Sequence, residues 1–160
     1  MKIISHRGNI DKILHERENS PDYIDEAISL GYDVEIDLWI DGNNDWYLGH
    51  DYGQYKVSKN WLNDRSDKLW VHCKNSKAIT TLVGQKIINF FSHNVDKFVL
   101  TSNNKVWYHY TKDFDEIFEN DPTQIIIPYL DLDTSKRAPI LKFYGICTDF
   151  PKIISQRLEK

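Results

Sequence analysis

The chain is short of the features that mark secreted, membrane-spanning or nucleic-acid-binding proteins. Only two cysteines occur in 160 residues, Cys73 and Cys147, and each sits in an apolar, strand-like run where a small buried side chain is the expected role. Two such thiols do not make the disulfide framework of a small secreted domain, and they suit a reducing compartment. The opening Lys2-Ile3-Ile4-Ser5-His6 lacks the charged, apolar and small-residue sections of a secretory signal, so a cytoplasmic location is expected. Long hydrophobic runs are missing too. Ile125-Ile126-Ile127 is closed off by Pro128, far short of the roughly 20 residues that cross a bilayer, and membrane insertion is not expected. Positive charge is scarce, with 20 Lys and Arg against 24 Asp and Glu and a net charge of -4. That balance offers no basic footprint for nucleic acid.

What is present is the composition of an ordinary globular protein, 41% hydrophobic and 28% charged, in a length that suits one domain over residues 1–160 with a single sizeable core. Short β-like runs recur at Lys2 to Ser5, Asp33 to Ile40, Trp46 to Leu48, Leu69 to Cys73, Ile87 to Phe91, Phe98 to Thr101, Val106 to Tyr108, Ile125 to Ile127 and Phe143 to Cys147. A helix is predicted from the Ser20-Pro21 start to Gly31, with Tyr23, Ile24, Ala27, Ile28 and Leu30 as its apolar stripe. A second begins near Ser76 with Ile79, Leu82, Val83 and Ile87 on one face; a third covers Asp113 to Glu119, and a last one Pro151 to Leu158. The strand, helix, strand, helix order of the first half points to an α/β fold with parallel strands. Thr101 to Lys105 is predicted as a turn between hairpin strands.

Side chains two apart on a strand share a face, so Glu35 and Asp37 point the same way, as do His72 and Lys74. Two carboxylates on one face among Val34, Ile36 and Leu38 either turn to solvent or, if buried, need a cation, a proton or donors. A hard divalent ion is one such cation. Downstream, Ile40 to Trp46 is predicted to fold as a hairpin centred on Asn43 and Asn44. Counting outward places His50 opposite Asp37, provided that Gly49 introduces no bulge. His6 and Arg7 leave the first strand, and Gly8 permits a tight departure. Alone, that tripeptide is also an ordinary strand-exit turn. Together with Glu35, Asp37, His72 and Lys74 it falls at the carboxyl ends of strands, where parallel α/β folds gather function. Two imidazoles across a phosphodiester can act as general base and general acid, and the Arg7 fork suits phosphate oxygens.

His6-Arg7-Gly8, Glu18-Asn19, Glu35-x-Asp37 and Gly49-His50-Asp51, in that order and spacing, resemble the glycerophosphodiester phosphodiesterase family of the phospholipase C-like barrels. Gly145 to Pro151 is similar to the family's final strand and its exit. The resemblance implies a shortened TIM-type (β/α) barrel with several crossover helices reduced to loops or hairpins. It implies His6 and His50 as the catalytic pair, Glu35 and Asp37 as metal ligands, Arg7 and Lys74 as phosphate or substrate binders, and Glu18 as a partner that orients Arg7 or His6. The reaction it implies is attack of a substrate hydroxyl on phosphorus, a cyclic phosphate, then hydrolysis of a small glycerol- or sugar-linked phosphodiester. A headgroup-binding protein without turnover, and a lyase that stops at the cyclic phosphate, stay open as alternatives.

Two departures matter. Where the family offers Glu-x-Lys on its third strand, this chain has His72-Cys73-Lys74. The ion expected is Mg²⁺ or Ca²⁺, and imidazole in place of carboxylate admits Mn²⁺ or Zn²⁺ beside them; His72 as a substrate contact or a core residue is equally open. The chain is also shorter than the usual barrel of about 200 residues or more, which removes surface that selects the alcohol. His93, Trp107 and Tyr129 fall near strand ends, where lining the mouth and packing are both open, and His15 and His109 are expected to be exposed. If the strand-two acids lack a counter-ion, Glu35→Gln and Asp37→Asn are both expected to leave the fold intact.

Overall fold

The computed structural model describes residues 1–85, 87–109, 121–130 and 142–159. In chain order the elements are β1 (Lys2–His6), α1 (Pro21–Ser29), β2 (Asp33–Ile40), β3 (Trp46–Leu48), β4 (Tyr55–Val57), α2 (Lys59–Asn63), β5 (Leu69–Cys73), α3 (Ser76–Leu82), β6 (Asn89–Phe91), β7 (Phe98–Leu100), β8 (Val106–Tyr108), β9 (Ile125–Pro128), β10 (Gly145–Thr148) and α4 (Pro151–Leu158). The helix expected over residues 113–119 lies outside the described residues.

Strands β6, β5, β2, β1, β10, β9 and β8 run parallel in that spatial order, and β3–β4 and β7 add antiparallel pieces. The period of two sorts each strand. Val34, Ile36 and Leu38 of β2 pack outward with Tyr23, Ile24 and Ala27 of α1 and with Ala78 and Leu82 of α3. Ile146 of β10 packs outward with Ile154 of α4. Their sheet neighbours turn inward, where Ile4, Trp70, Phe91, Trp107, Ile126 and Cys147 from six strands meet in one cluster. The ladder does not close between β6 and β8. The gap is spanned instead by the turn before β8, where Ser102 N donates to Phe90 O at 2.8 Å and Phe90 N donates to Ser102 Oγ at 2.9 Å. The result is a shortened TIM-type barrel in which the β7 hairpin stands where a helix would otherwise join β6 to β8. Glu35 and Asp37 lie on its inner face, 3% and 0% exposed, so the solvent-facing alternative for this pair is excluded.

Helix stripes are narrower than the apolar pattern suggests. Leu30 falls beyond α1, Val83 beyond α3, and Ile87 is on neither α3 nor β6; all three are more than half exposed. β4 and α2 carry too little periodicity to announce themselves, at three and five residues.

The β2–β3 hairpin is one residue tighter than expected. Asp41 Oδ1 accepts from Asn43 N and Asp45 N at 2.9 Å, Asn44 takes φ 67°, and Asp41 N bonds Asp45 O. That side-chain capture closes a three-residue loop. Trp39 therefore pairs with Tyr47, and Gly49 N, not the residue after it, reaches Asp37 O at 3.1 Å. His50 lies one position beyond, not opposite Asp37. Gly49 makes the turn at φ 147°, where a Cβ would stand 2.2 Å from Tyr52 O. Gly49→Ala is expected to cost about 1–3 kcal/mol and to displace His50. Urea unfolding and the turnover number are expected to fall together.

Candidate active site

The first turn after β1 is built on strained backbone. Arg7 has φ 55° and Gly8 φ 90°, and Arg7 N donates to Glu35 O at 3.0 Å. Asn19, at φ 63°, donates its N–H to Arg7 O at 3.0 Å and clamps β2 from below: its Nδ2 donates to Asp37 Oδ2 and its Oδ1 accepts from Asp37 N, both at 2.9 Å. Two left-handed non-glycine residues side by side at a polar centre mark a geometry that the rest of the fold must hold in place.

Asp37 is the hub. Besides Asn19, Arg7 Nε lies 3.0 Å from Oδ2, and His72 Nδ1 and Lys74 Nζ lie 3.1 and 3.3 Å from Oδ1. Burial opposes its charge, but the His72 contact and the Arg7 and Lys74 cations hold its carboxyl well below the usual range. Glu35 is its opposite. Burial, then the Asp37 charge beside it, push its carboxyl up despite His6, Arg7 and His72 nearby. Glu35 Oε2 and Asp37 Oδ1 are both buried without an aligned hydrogen bond. Lys74 meets the Asp37 oxygen, whereas burial of Glu35 Oε2 in that state is costly unless a cation meets it.

Glu35, Asp37 and His72 can each bring one ligand atom within 4.8 Å of the others. His72 Nδ1 faces the carboxylates, 3.1 Å from Asp37 Oδ1 and 3.9 Å from Glu35 Oε1, and its Nε2 lies 3.4 Å from His93 O, which would take the ring proton if an ion were held on Nδ1. One imidazole nitrogen and two carboxylate oxygens, with Glu35 Oε2 buried and unpartnered beside them, fit a divalent ion.

His6 is fixed from β10, the strand paired with β1 on the side away from β2. Its Nδ1 is 2.8 Å from Asp149 Oδ1 on the exit of β10, and Asn9 Nδ2 donates to that same oxygen at 2.8 Å and to Glu18 Oε1 at 3.0 Å. Glu18 Oε2 in turn receives Arg7 Nη1 at 3.2 Å, so Glu18 touches Arg7 and reaches His6 only through Asn9 and Asp149. Burial lowers the His6 imidazolium, but the Asp149 bond and the Glu35 and Asp149 charges outweigh it and leave the ring above its ordinary value. Asp149→Asn is expected to lower the His6 titration and to draw the alkaline limb of activity to lower pH. The His6 ring signal in an NMR titration reads the first effect and a pH–rate profile the second.

His6, Arg7, Glu35, His50 and His72 all line one cleft of about 170 Å³, with Phe91, Trp107 and Cys147 forming its back. His50 stands at the rim, its side chain 44% exposed and Nδ1 2.7 Å from Asp51 Oδ1. Lys74 reaches the site through Asp37. His93 and Trp107 do line the cleft, whereas Tyr129 is packed in the outer core with Ile125, Ile127 and Ile146. His15 is exposed as expected; His109 is exposed as well but sits edge-on to His93 at 4.8 Å in the cleft wall. Reading the chain alone did not find the parts played by Asn9, Asn19 and Asp149. Asn19 and Asp149 stood inside quoted motifs, but only the three-dimensional closure brings Asp149 back to His6 across 143 positions.

No family model and no curated protein sequence matches the chain. Solved structures do. A glycerophosphodiester phosphodiesterase from Parabacteroides distasonis superposes with a TM-score of 0.60 at 14% identity, over 99% of this chain and 96% of the other. The fold is that of the glycerophosphodiester phosphodiesterases. The enzyme of that name from Agrobacterium tumefaciens gives a TM-score of 0.60 at 14% identity over 97% and 99% of the two chains. The Thermotoga maritima glycerophosphodiester phosphodiesterase gives 0.55 at 14% over 96% of each. Within this phosphodiesterase fold the inner faces of β1, β2 and β5 carry the polar centre described above. Among the described residues, no helix is long and apolar enough to cross a membrane.

Proposed function

We propose that the chain is a metal-dependent phosphodiesterase that hydrolyses a small glycerol- or sugar-linked phosphodiester, with His6 and His50 as the acid–base pair. The observation that carries this reading is the cleft itself, where two imidazoles from different elements face an arginine and a buried Glu/Asp/His group. A headgroup binder has use for Arg7 and Lys74 but none for paired imidazoles.

Glu35, Asp37 and His72 would hold the ion, and its chemistry is charge stabilisation of a transferring phosphoryl group. Arg7 and Lys74 neutralise Asp37 and bring positive charge to the phosphate side of the cleft. His6 suits the general acid: Asp149 takes its Nδ1, which leaves Nε2 for the substrate, and the Asp149 bond favours the protonated ring. His50, at the open rim, suits the base that accepts a proton from the attacking hydroxyl of the substrate or, on a diester without one, from the attacking water. Asp51, on its Nδ1, holds the tautomer that this requires.

The test is turnover of glycerophosphodiesters and bis(4-nitrophenyl) phosphate in Mg²⁺, Ca²⁺, Mn²⁺, Zn²⁺ or EDTA, with products followed by phosphorus NMR. Activity lost in EDTA and restored by an ion supports the assignment, with Mn²⁺ or Zn²⁺ expected to serve well because of His72. Absence of turnover with every ion overturns it.

A further inference from the structure

A carboxylate offers lone pairs over a broad arc, whereas an imidazole nitrogen offers a single one, in the plane of its ring. The torsion that sets that plane is soft, because χ2 of histidine has broad wells. His72 can therefore aim Nδ1 at Glu35 and Asp37 only if something holds its ring.

The holding group comes from the neighbouring strand. β6 pairs with β5 so that Phe91 lies beside His72, and the chain leaves β6 through Ser92 to His93. The His93 ring stacks on the His72 ring, with 4.5 Å between centroids and 15° between planes. Phe91 lies 5.1 Å and 4° from His72 and is itself stacked on Trp107 at 4.4 Å. Rotating the His72 plane would drive its edge into these two faces. Phe91 belongs to the inner core, whereas His93 lines the cleft. His93 also meets His72 a second time through its backbone, since His93 O is 3.4 Å from His72 Nε2. One residue thus bears on the plane of the ring and on the nitrogen turned away from the acids. The His93 ring is seated by contacts between faces and edges: His109 stands edge-on to it at 4.8 Å, and its Nδ1 is buried with no hydrogen-bond partner among the described residues.

We propose that His93 is a positioning residue for the ion: its ring fixes the plane of His72 and its carbonyl receives the Nε2 proton, so that Nδ1 is presented as a ligand beside Glu35 and Asp37. The consequence is selectivity. Mg²⁺ draws its affinity from carboxylates and water, whereas Mn²⁺ and Zn²⁺ gain from a well-aimed imidazole nitrogen. The selectivity rests on the proposed metal site; the ordering of His72 by His93 holds in the ion-free protein.

The test compares wild type with His93→Ala and His93→Phe in two arms. In the first, the ring protons of His72 are followed by NMR without any ion. His93→Ala is expected to remove part of the upfield displacement that a stacked ring imposes on them, and His93→Phe to keep it. In the second, Zn²⁺, Mn²⁺ and Mg²⁺ are titrated calorimetrically. His93→Ala is expected to weaken Zn²⁺ and Mn²⁺ by about tenfold to a hundredfold and Mg²⁺ far less, and His93→Phe to restore both. Unmoved His72 ring signals in His93→Ala overturn the proposal, as does equal weakening of all three ions, which is what general loosening of the site would give. Failure of His93→Phe to restore Zn²⁺ and Mn²⁺ also overturns it, because the imidazole nitrogen of His93 would then be the group that counts. Ring signals that move as expected in a protein whose wild type binds none of the three ions sustain the ordering of His72 and count against the metal-dependent assignment instead.

Discussion

Asp37→Asn is expected to destabilise the protein by about 3 kcal/mol, because it strips the counter-charge from a buried ion cluster. Arg7, Lys74 and His72 all converge on this one carboxylate, and none of them is well hydrated. The loss falls at the lower end of the buried-pair range because Arg7 and Lys74 keep 18% and 16% of their side-chain surface in water. Glu35→Gln is expected to do the reverse in the ion-free protein, leaving stability unchanged or higher. The two acids were expected to behave alike; the structure separates them, since only Glu35 lacks a close cation. Their pH dependences also oppose. Asp37 titrates below its ordinary value in the fold, so its contribution is present above the unfolded carboxylate range and is lost as pH falls through its folded value. Glu35 titrates above its ordinary value, so its contribution is present in acid and is lost as pH rises through the folded value. Urea unfolding in EDTA is therefore expected to show wild type losing stability relative to Glu35→Gln as pH rises above the unfolded carboxylate value of about 4. Both variants are expected to be inactive, but for different reasons.

The second large effect concerns the imidazoles. His6→Ala is expected to lower turnover by about a hundredfold to ten-thousandfold, the usual worth of a positioned proton donor. His50→Ala is expected to fall in the same range. The two losses are expected to differ with the leaving group. A nitrophenolate departs without protonation, so an acid matters little to it, whereas an alkoxide needs one. Loss of His6 is therefore expected to be milder on bis(4-nitrophenyl) phosphate than on a glycerophosphodiester, and loss of His50 similar on both. The ratio of kcat/KM for the two substrates in each variant checks the division of roles, and a ratio that moves with His50 instead reverses the assignment.

The inner face of β2 was readable in the sequence because strand periodicity is strict: Glu35 and Asp37 had to share a face, and Val34, Ile36 and Leu38 had to share the other. The ordered His6, Glu35, Asp37 and His50 segments carried the barrel. What failed was decided by single hydrogen bonds. Asp41 captures two amides and shortens the hairpin by one residue, which moves His50 off Asp37. The Arg7 and Lys74 ion pairs with Asp37, and the Asn9 bridge between Glu18 and Asp149, are tertiary closures with no local pattern. His72 was ambiguous from sequence because a lone strand histidine fits several roles; its contact with His93 O and its place against the Glu35 and Asp37 carboxylates are what draw it toward the ligand role.

The whole account turns on a cation among Glu35, Asp37 and His72 with a phosphate between His6 and His50. A crystal grown with Mn²⁺ and inorganic phosphate reads both at once. The account predicts one anomalous peak within bonding distance of those three side chains, and phosphate in the cleft in reach of both imidazoles. Mn²⁺ bound elsewhere, or phosphate seated away from His6 and His50, would contradict it.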